Sequence, residues 1–255
     1  MLTSFAGGRL FGAAWGGSPA PVVALHGWQR THRDFEAAFG GPAAAGGLGV
    51  VAVDLFGFGA TPAPPEPWGS PGYAEHLLPL LDGDAVAERL TVVGHSFGGR
   101  VAVRLARLAP DRIERLVLTG VPLLDRQGRR STPAPAYRLG RRLHRMGLVG
   151  EERMEALRQK YGSPDYRAAQ GVVRGVFVAL MAESYVDDMA AVTCPVDLVW
   201  GSDDDQVPVE VAERAREVFP NATLQVLPGV GHLVPTEAPD ALREAVLAGH
   251  AAGPA

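Results

Sequence analysis

Gly94-His95-Ser96-Phe97-Gly98 stands between an apolar β-type run, Leu90–Gly94, and a helix-like stretch, Gly98–Leu108. A serine at a strand-to-helix turn must take a strained backbone conformation. Glycines two residues before and after it remove side chains that would collide there. Such a turn lifts the Ser96 hydroxyl above the sheet edge, beside a helix N-terminus that favours developing negative charge. In a chain with 32 glycines the G-x-S-x-G spacing alone is a modest signal. Flanked by a strand and a helix, it points to Ser96 as a nucleophile.

A serine hydroxyl is a poor nucleophile until a base takes its proton. Of the 7 histidines, His232 lies in Pro228-Gly-Val-Gly-His-Leu233, between the last β-type run and the last helical stretch. That loop falls on the same carboxyl edge of the sheet as Ser96. His26 and His95 adjoin tight glycine turns and are expected to shape the backbone, while His32, His76, His144 and His250 fall on helical stretches without catalytic context. The base in turn needs a carboxylate to fix its tautomer and stabilise the imidazolium. Trp200-Gly-Ser-Asp-Asp-Asp-Gln-Val-Pro208 offers Asp203, Asp204 and Asp205 just after a β-type run, and one of the three suffices. The oxyanion of an acyl transfer needs donors. The backbone N–H groups of Phe97 and of Trp28, in Leu25-His-Gly-Trp28, are placed to supply them, with the Trp28 side chain lining the pocket.

The elements that must position these groups are short apolar runs: Val22–Leu25, Val50–Asp54, Leu90–Gly94, Ile113–Thr119, Val196–Gly201 and Thr223–Leu227. Apolar on both faces, they are expected to be central strands of a parallel sheet, with Arg9–Trp15 an antiparallel edge. Helical patterns alternate with them at Thr31–Phe39, Tyr73–Leu81, Gly98–Leu108, Val209–Val218 and Pro239–Leu247. The alternation predicts an α/β fold. Residues 123–190 break it with amphipathic stretches alone, around Ala136–Met146, Glu151–Tyr161, Asp165–Ala182 and Tyr185–Ala190. The expected organisation is a core of residues 1–122 and 191–255 with a helical insertion, 123–190, between two core strands.

Taken together the chain resembles a capped α/β-hydrolase-fold enzyme of the esterase, lipase and C–C hydrolase group. The resemblance rests on His26-Gly-Trp, Val53-Asp-Leu-Phe-Gly-Phe-Gly59, the Gly94-His-Ser-Phe-Gly-Gly99 elbow, Trp200-Gly-x-x-Asp-x-x-x-Pro208, and Gly229-x-Gly-His232 with Leu-Val-Pro-Thr-Glu-Ala-Pro after it. It implies a mostly parallel, doubly wound sheet, the chain order Ser, Asp, His for the triad, and a helical cap in the insertion. The family's acid lies three residues after the glycine and four before the proline, which selects Asp204. Asp54 matches a structural aspartate of the family, and Thr61 replaces its usual serine. Met146, Tyr161, Phe177 and Met181 are the cap's candidates for substrate contact.

The net charge of −4 argues against nucleic acid as a partner. The single cysteine, Cys194, excludes an internal disulfide and leaves no thiol cluster for zinc. No signal-peptide pattern opens the sequence and no apolar run approaches the ~20 residues of a membrane span, so a cytoplasmic protein is expected. No metal, nucleotide or organic cofactor is implied; the expected partner is a small-molecule substrate, and oligomeric state is not legible. Between Asp125 and Lys160, nine Arg and one Lys stand against one Asp and three Glu, a basic segment that would steer anionic substrates if it faced the entrance. Ser96 at the elbow disfavours dehalogenase and epoxide hydrolase chemistry, which use aspartate there. C–C hydrolase, lyase, perhydrolase and acyltransferase activities share the triad, and a ligand sensor of the same fold differs only in turnover.

Overall fold

The computed structural model describes residues 1–41, 47–125 and 135–251. Eight strands pair into one sheet: β1 (Thr3–Phe5), β2 (Leu10–Trp15), β3 (Ala20–Leu25), β4 (Val50–Asp54), β5 (Val86–His95), β6 (Ile113–Thr119), β7 (Val196–Gly201) and β8 (Ala222–Leu227). Their order is β1-β2-β4-β3-β5-β6-β7-β8. From β4 to β8 every pairing is parallel, while β2 is antiparallel to both its neighbours, β1 and β4. The segment expected as an antiparallel edge is antiparallel but is not the edge. The three-residue β1 lies outside it, too short and too exposed to leave an apolar pattern in the sequence.

Helices alternate with the strands: α1 (Glu36–Phe39), α2 (Ser70–Leu81), α3 (Phe97–Leu108), α4 (Pro135–Arg145), α5 (Glu151–Tyr161), α6 (Pro164–Ala168), α7 (Gly171–Leu180), α8 (Val186–Ala191), α9 (Val209–Val218), α10 (Val234–Glu237) and α11 (Pro239–Ala251). Because strand side chains alternate between faces, the Val- and Leu-rich runs feed two cores. Val23, Leu25, Val53, Val92, Leu118 and Trp200 pack under α2, α3, α8 and α9. Val22, Ala24, Ala52, Val93, Val117 and Val199 pack against Phe35, Phe39, Leu242 and Val246, on the side of α1 and α11. Each fully buried Val or Leu contributes about 1.5–3 kcal/mol, so covering both faces is what holds the central strands in place.

Between β6 and β7 the described residues form only helices, α4 to α8. The stretch expected as one helix over Asp165–Ala182 is two. Ser163 caps α6 by accepting from Tyr166 N at 3.2 Å, and α7 starts at Gly171, whose φ is 52°. The insert returns to the core through charge. Arg104 and Arg107 both hold Asp188, and Glu183 accepts from the Ser70 backbone N–H at 2.7 Å. Cys194 is half-buried against the core, and burial pushes its thiol up to about 11. Among the described residues no helix is long and apolar enough to cross a membrane.

Candidate active site

Ser96 joins β5 to α3 at φ 49°, ψ −111°, a conformation that costs a non-glycine residue about 1–3 kcal/mol. Close packing around the turn enforces it. A Cβ on Gly98 would lie 2.1 Å from Leu25 O, one on Gly94 2.5 Å from Gly99 Cα, and one on Gly99 2.2 Å from a Val121 methyl. The turn is held from both sides, since Ser96 N donates to Thr119 O at 2.9 Å and Gly98 N to His26 O at 3.0 Å. Strand ends β3 and β6 thus clamp the elbow, and the serine side chain opens into a cavity.

His232 lines that cavity, and Asp204 meets it from behind the wall. The buried Trp200 indole donates to Val207 O at 2.7 Å and folds the loop after β7 back on itself. Within it, Asp204 Oδ1 accepts from the N–H groups of Gln206 and Val207 at 2.9 and 2.7 Å. Asp204 Oδ2 lies 2.8 Å from His232 Nδ1. A carboxylate only accepts, so it assigns the proton to Nδ1 and leaves Nε2 with its lone pair, the state of a general base. Asp203 is exposed and accepts from the Ser202 hydroxyl, whereas Asp205 is exposed and lines the cavity.

Three further residues set the His232 ring, and sequence reasoning gave none of them this role. Gly120, at φ 56°, leaves room for it: a Cβ there would be 2.8 Å from His232 Cε1 and 2.9 Å from Nδ1. Glu237, on α10, accepts from Gly231 N at 2.6 Å and Leu233 N at 3.3 Å, bracing the loop on both sides of the histidine. His95 packs its ring 4.9 Å from that of His232 and is itself tied to Thr119. Burial, followed by the neighbouring His232, pushes His95 down to about 3, so it is a neutral spacer near pH 7. The available signals were a glycine directly after an apolar run and an acid five residues after the histidine.

The loop carrying Trp28 is fixed by its own histidine. His26 accepts from Leu55 N at Nε2 (2.9 Å), and its Nδ1–H donates to Gly27 O at 2.7 Å. Burial pushes His26 down to about 4. Asp54 orders the neighbouring loop, accepting from the N–H of His32 at 2.8 Å and of Ala60 at 2.9 Å. Phe97 is the first residue of α3, so its N–H has no acceptor within the helix. Trp28 stacks edge-on against Phe58 and Phe97, and its indole N–H is buried without a hydrogen-bond partner among the described residues.

The cavity holds about 890 Å³. The core side contributes Trp28, Ser96, Phe97, Arg100, Pro122, His232 and the 205–207 loop; the insert contributes Tyr137, Tyr161, Tyr166, Phe177, Leu180 and Met181, among others. Of the residues expected to contact substrate, Trp28, Tyr161, Phe177 and Met181 are on the wall. Met146 is not. It lies in the turn that ends α4, where its N–H bonds to Arg142 O, and its side chain is 61 % exposed. The described arginines of α4 likewise turn outward. Arg138, Arg141, Arg142 and Arg145 are exposed, while Gly140 faces α5, where a Cβ would meet Leu157 at 2.3 Å. Arg126, Arg129 and Arg130 lie outside the described residues. Among the described residues, the arginine on the cavity wall is Arg100 of α3, which sequence reasoning did not single out.

Comparison with known proteins places this geometry in context. The model described as "Alpha/beta hydrolase family" matches residues 22–245. An uncharacterized protein of Mycobacterium tuberculosis is 28 % identical over 218 residues, covering 72 % of this chain and 62 % of that protein, so the chain spans less than two thirds of that relative's length. A putative carbamate hydrolase of a Caulobacter species is 30 % identical over 202 residues, covering 68 % of this chain and 69 % of the relative. The structure of a thermophilic esterase from Thermogutta terrifontis superposes with a TM-score of 0.69 at 23 % identity, covering 100 % of both chains.

Proposed function

The chain belongs to the alpha/beta hydrolase family, and from that footing we propose that it is a serine hydrolase that cleaves an ester-type bond of a small molecule through an acyl-enzyme. The observation that carries the reading is His232, paired with the buried Asp204 at 2.8 Å, lining the same cavity as Ser96 at its strained turn. Ser96 Oγ attacks the carbonyl carbon as His232 Nε2 takes its proton. The N–H groups of Phe97 and Trp28 hold the oxyanion. His232 then returns the proton to the departing alkoxide, and water activated by the same nitrogen releases the acid and regenerates Ser96. Asp204 stays ionised throughout and stabilises the imidazolium.

The α4–α8 insert serves as the cap. Its Tyr137, Tyr161, Tyr166 and Phe177 side chains line the cavity with Ser96, and Phe177 meets Trp28 of the core at 5.3 Å between ring centroids. A cavity of this size suits a small molecule rather than a polymer.

The test pairs labelling with turnover. Wild-type protein should react with a fluorophosphonate and hydrolyse 4-nitrophenyl esters over many cycles. Ser96→Ala should do neither while keeping its far-UV circular dichroism, with kcat lower by up to ~10⁶. Labelling of the alanine variant would refute the nucleophile. Stoichiometric labelling of wild type without multiple turnover would favour a ligand sensor of the same fold.

A further inference from the structure

Arg100 follows Ser96 by one turn of α3, about 6 Å of helix rise, and its side chain forms part of the cavity wall. Its Nε–H and one Nη2–H donate to Pro122 O at 3.1 and 3.0 Å, and one Nη1–H to Leu180 O at 3.4 Å. A guanidinium has five N–H donors, so one on each terminal nitrogen has no acceptor among the described residues. Its neighbours on the helix, Arg104 and Arg107, both pair with Asp188; Arg100 has no ion pair among the described residues. The nearby Glu183 already accepts from Ser70 and from the Tyr185 hydroxyl. Arg100 has the face of Tyr185 at 5.4 Å.

A cation withdrawn from water in this way carries a desolvation cost that a ligand anion would offset. Burial holds the Arg100 guanidinium below its ordinary value, with Tyr185 and Glu183 opposing. Among the described residues, the other charged residues of the wall, Asp165 and Asp205, are exposed, where water and salt screen them. The wall that Arg100 shares with Ser96 includes the apolar side chains of Phe97, Leu180 and Phe177, and the two residues are one helical turn apart. Such a wall fits a short hydrocarbon spacer.

We propose that Arg100 binds a carboxylate of the substrate, so that the compound cleaved at Ser96 is an anion bearing that group a short apolar spacer away from the scissile carbonyl. The inference rests on the serine hydrolase reading for its chemistry, but the binding step can be measured without it. The two free donors, one on each Nη, are open to the two oxygens of a carboxylate.

The experiment compares mono-4-nitrophenyl adipate with the neutral 4-nitrophenyl pentanoate on wild type, Arg100→Met and Arg100→Lys. Calorimetric titration of adipate into the Ser96→Ala protein, with and without Arg100→Met, runs beside it. Loss of a charge-assisted hydrogen-bonded contact is expected to lower the anionic-to-neutral ratio of kcat/KM about 10- to 100-fold in Arg100→Met. Arg100→Lys should regain part of it, and adipate affinity should fall in step. A ratio unchanged in Arg100→Met, even with both rates reduced, would make Arg100 only a tie between Pro122 and Leu180. Equal or absent adipate binding in the two titrated proteins would likewise overturn the proposal. Failure of wild type to hydrolyse either ester would strike the hydrolase reading instead, and the adipate titration would still decide the role of Arg100.

Discussion

Asp204 spends both carboxylate oxygens, one on the backbone of its own loop and one on His232, and is 5 % exposed. Removing its charge while keeping its shape would leave the loop folded and let His232 adopt the opposite tautomer. We therefore expect Asp204→Asn to lower kcat by about 10⁴-fold with little change in thermal stability. Asp203→Asn, on an exposed residue one position away, should retain most of the activity. Steady-state kinetics of the two variants on one ester separates them; a larger loss in Asp203→Asn would shift the acid by one residue. This level of detail was legible only in part. Three consecutive aspartates are equivalent to any local pattern, and the spacing to Gly201 and Pro208 chose among them only through a family resemblance. Arg100 was illegible for another reason. Its place on the cavity wall depends on where Leu180 and Pro122 arrive, and neither is its neighbour in sequence.

At the scale of elements, glycines decide how closely strands and helices approach. Gly98 lets α3 pass against the end of β3, and Gly120 lets the loop after β6 pass under His232. The two make different predictions. A methyl on Gly98 would press 2.1 Å from Leu25 O, backbone against backbone, so Gly98→Ala should destabilise the whole fold. A methyl on Gly120 meets the imidazole instead, a side chain that can rotate away. Gly120→Ala should cost about 1–2 kcal/mol for its positive φ, yet displace the base enough to lose on the order of 10²-fold in kcat. Urea melts beside kinetics test this; a Gly120→Ala protein with full activity would remove the residue from the site. The central parallel strands were legible because their apolar runs serve two faces at once, as Val22 and Val23 do on β3; Thr223–Leu227, expected among them, is instead the largely exposed edge strand β8. Elements whose limits depend on a single backbone angle were not, as where Gly171 divides α6 from α7.

Across the whole molecule, two buried histidines couple folding to pH. His26 and His95 are 0 % and 1 % exposed and lie at adjoining corners of the sheet's carboxyl edge, with a Cβ on Gly27 due to fall 2.9 Å from His95 Cδ2. Burial is the main cause in both, and lowers them from an unfolded value of 6.5 to about 4 and about 3. The sign follows from proton counting. Above pH 6.5 both states are neutral at these sites, and the stability they permit is fully present. Below it the unfolded chain takes up protons that the native state refuses, so stability falls as pH drops through the interval from 6.5 to 4. Each site contributes about 1.4 kcal/mol per pH unit within its interval, and the pair about 3. Carboxylates add their own loss at the acid end, so the comparison must be between proteins that share them. His95→Asn keeps a donor for Thr119 and removes one titration. Its unfolding free energy, from urea titrations at half-unit steps between pH 7 and 4.5, should decline less steeply than that of wild type, by about 1.4 kcal/mol per pH unit. Parallel declines would mean that His95 accepts its proton in the folded protein, and that the carboxyl edge of the sheet admits a charge beside His232.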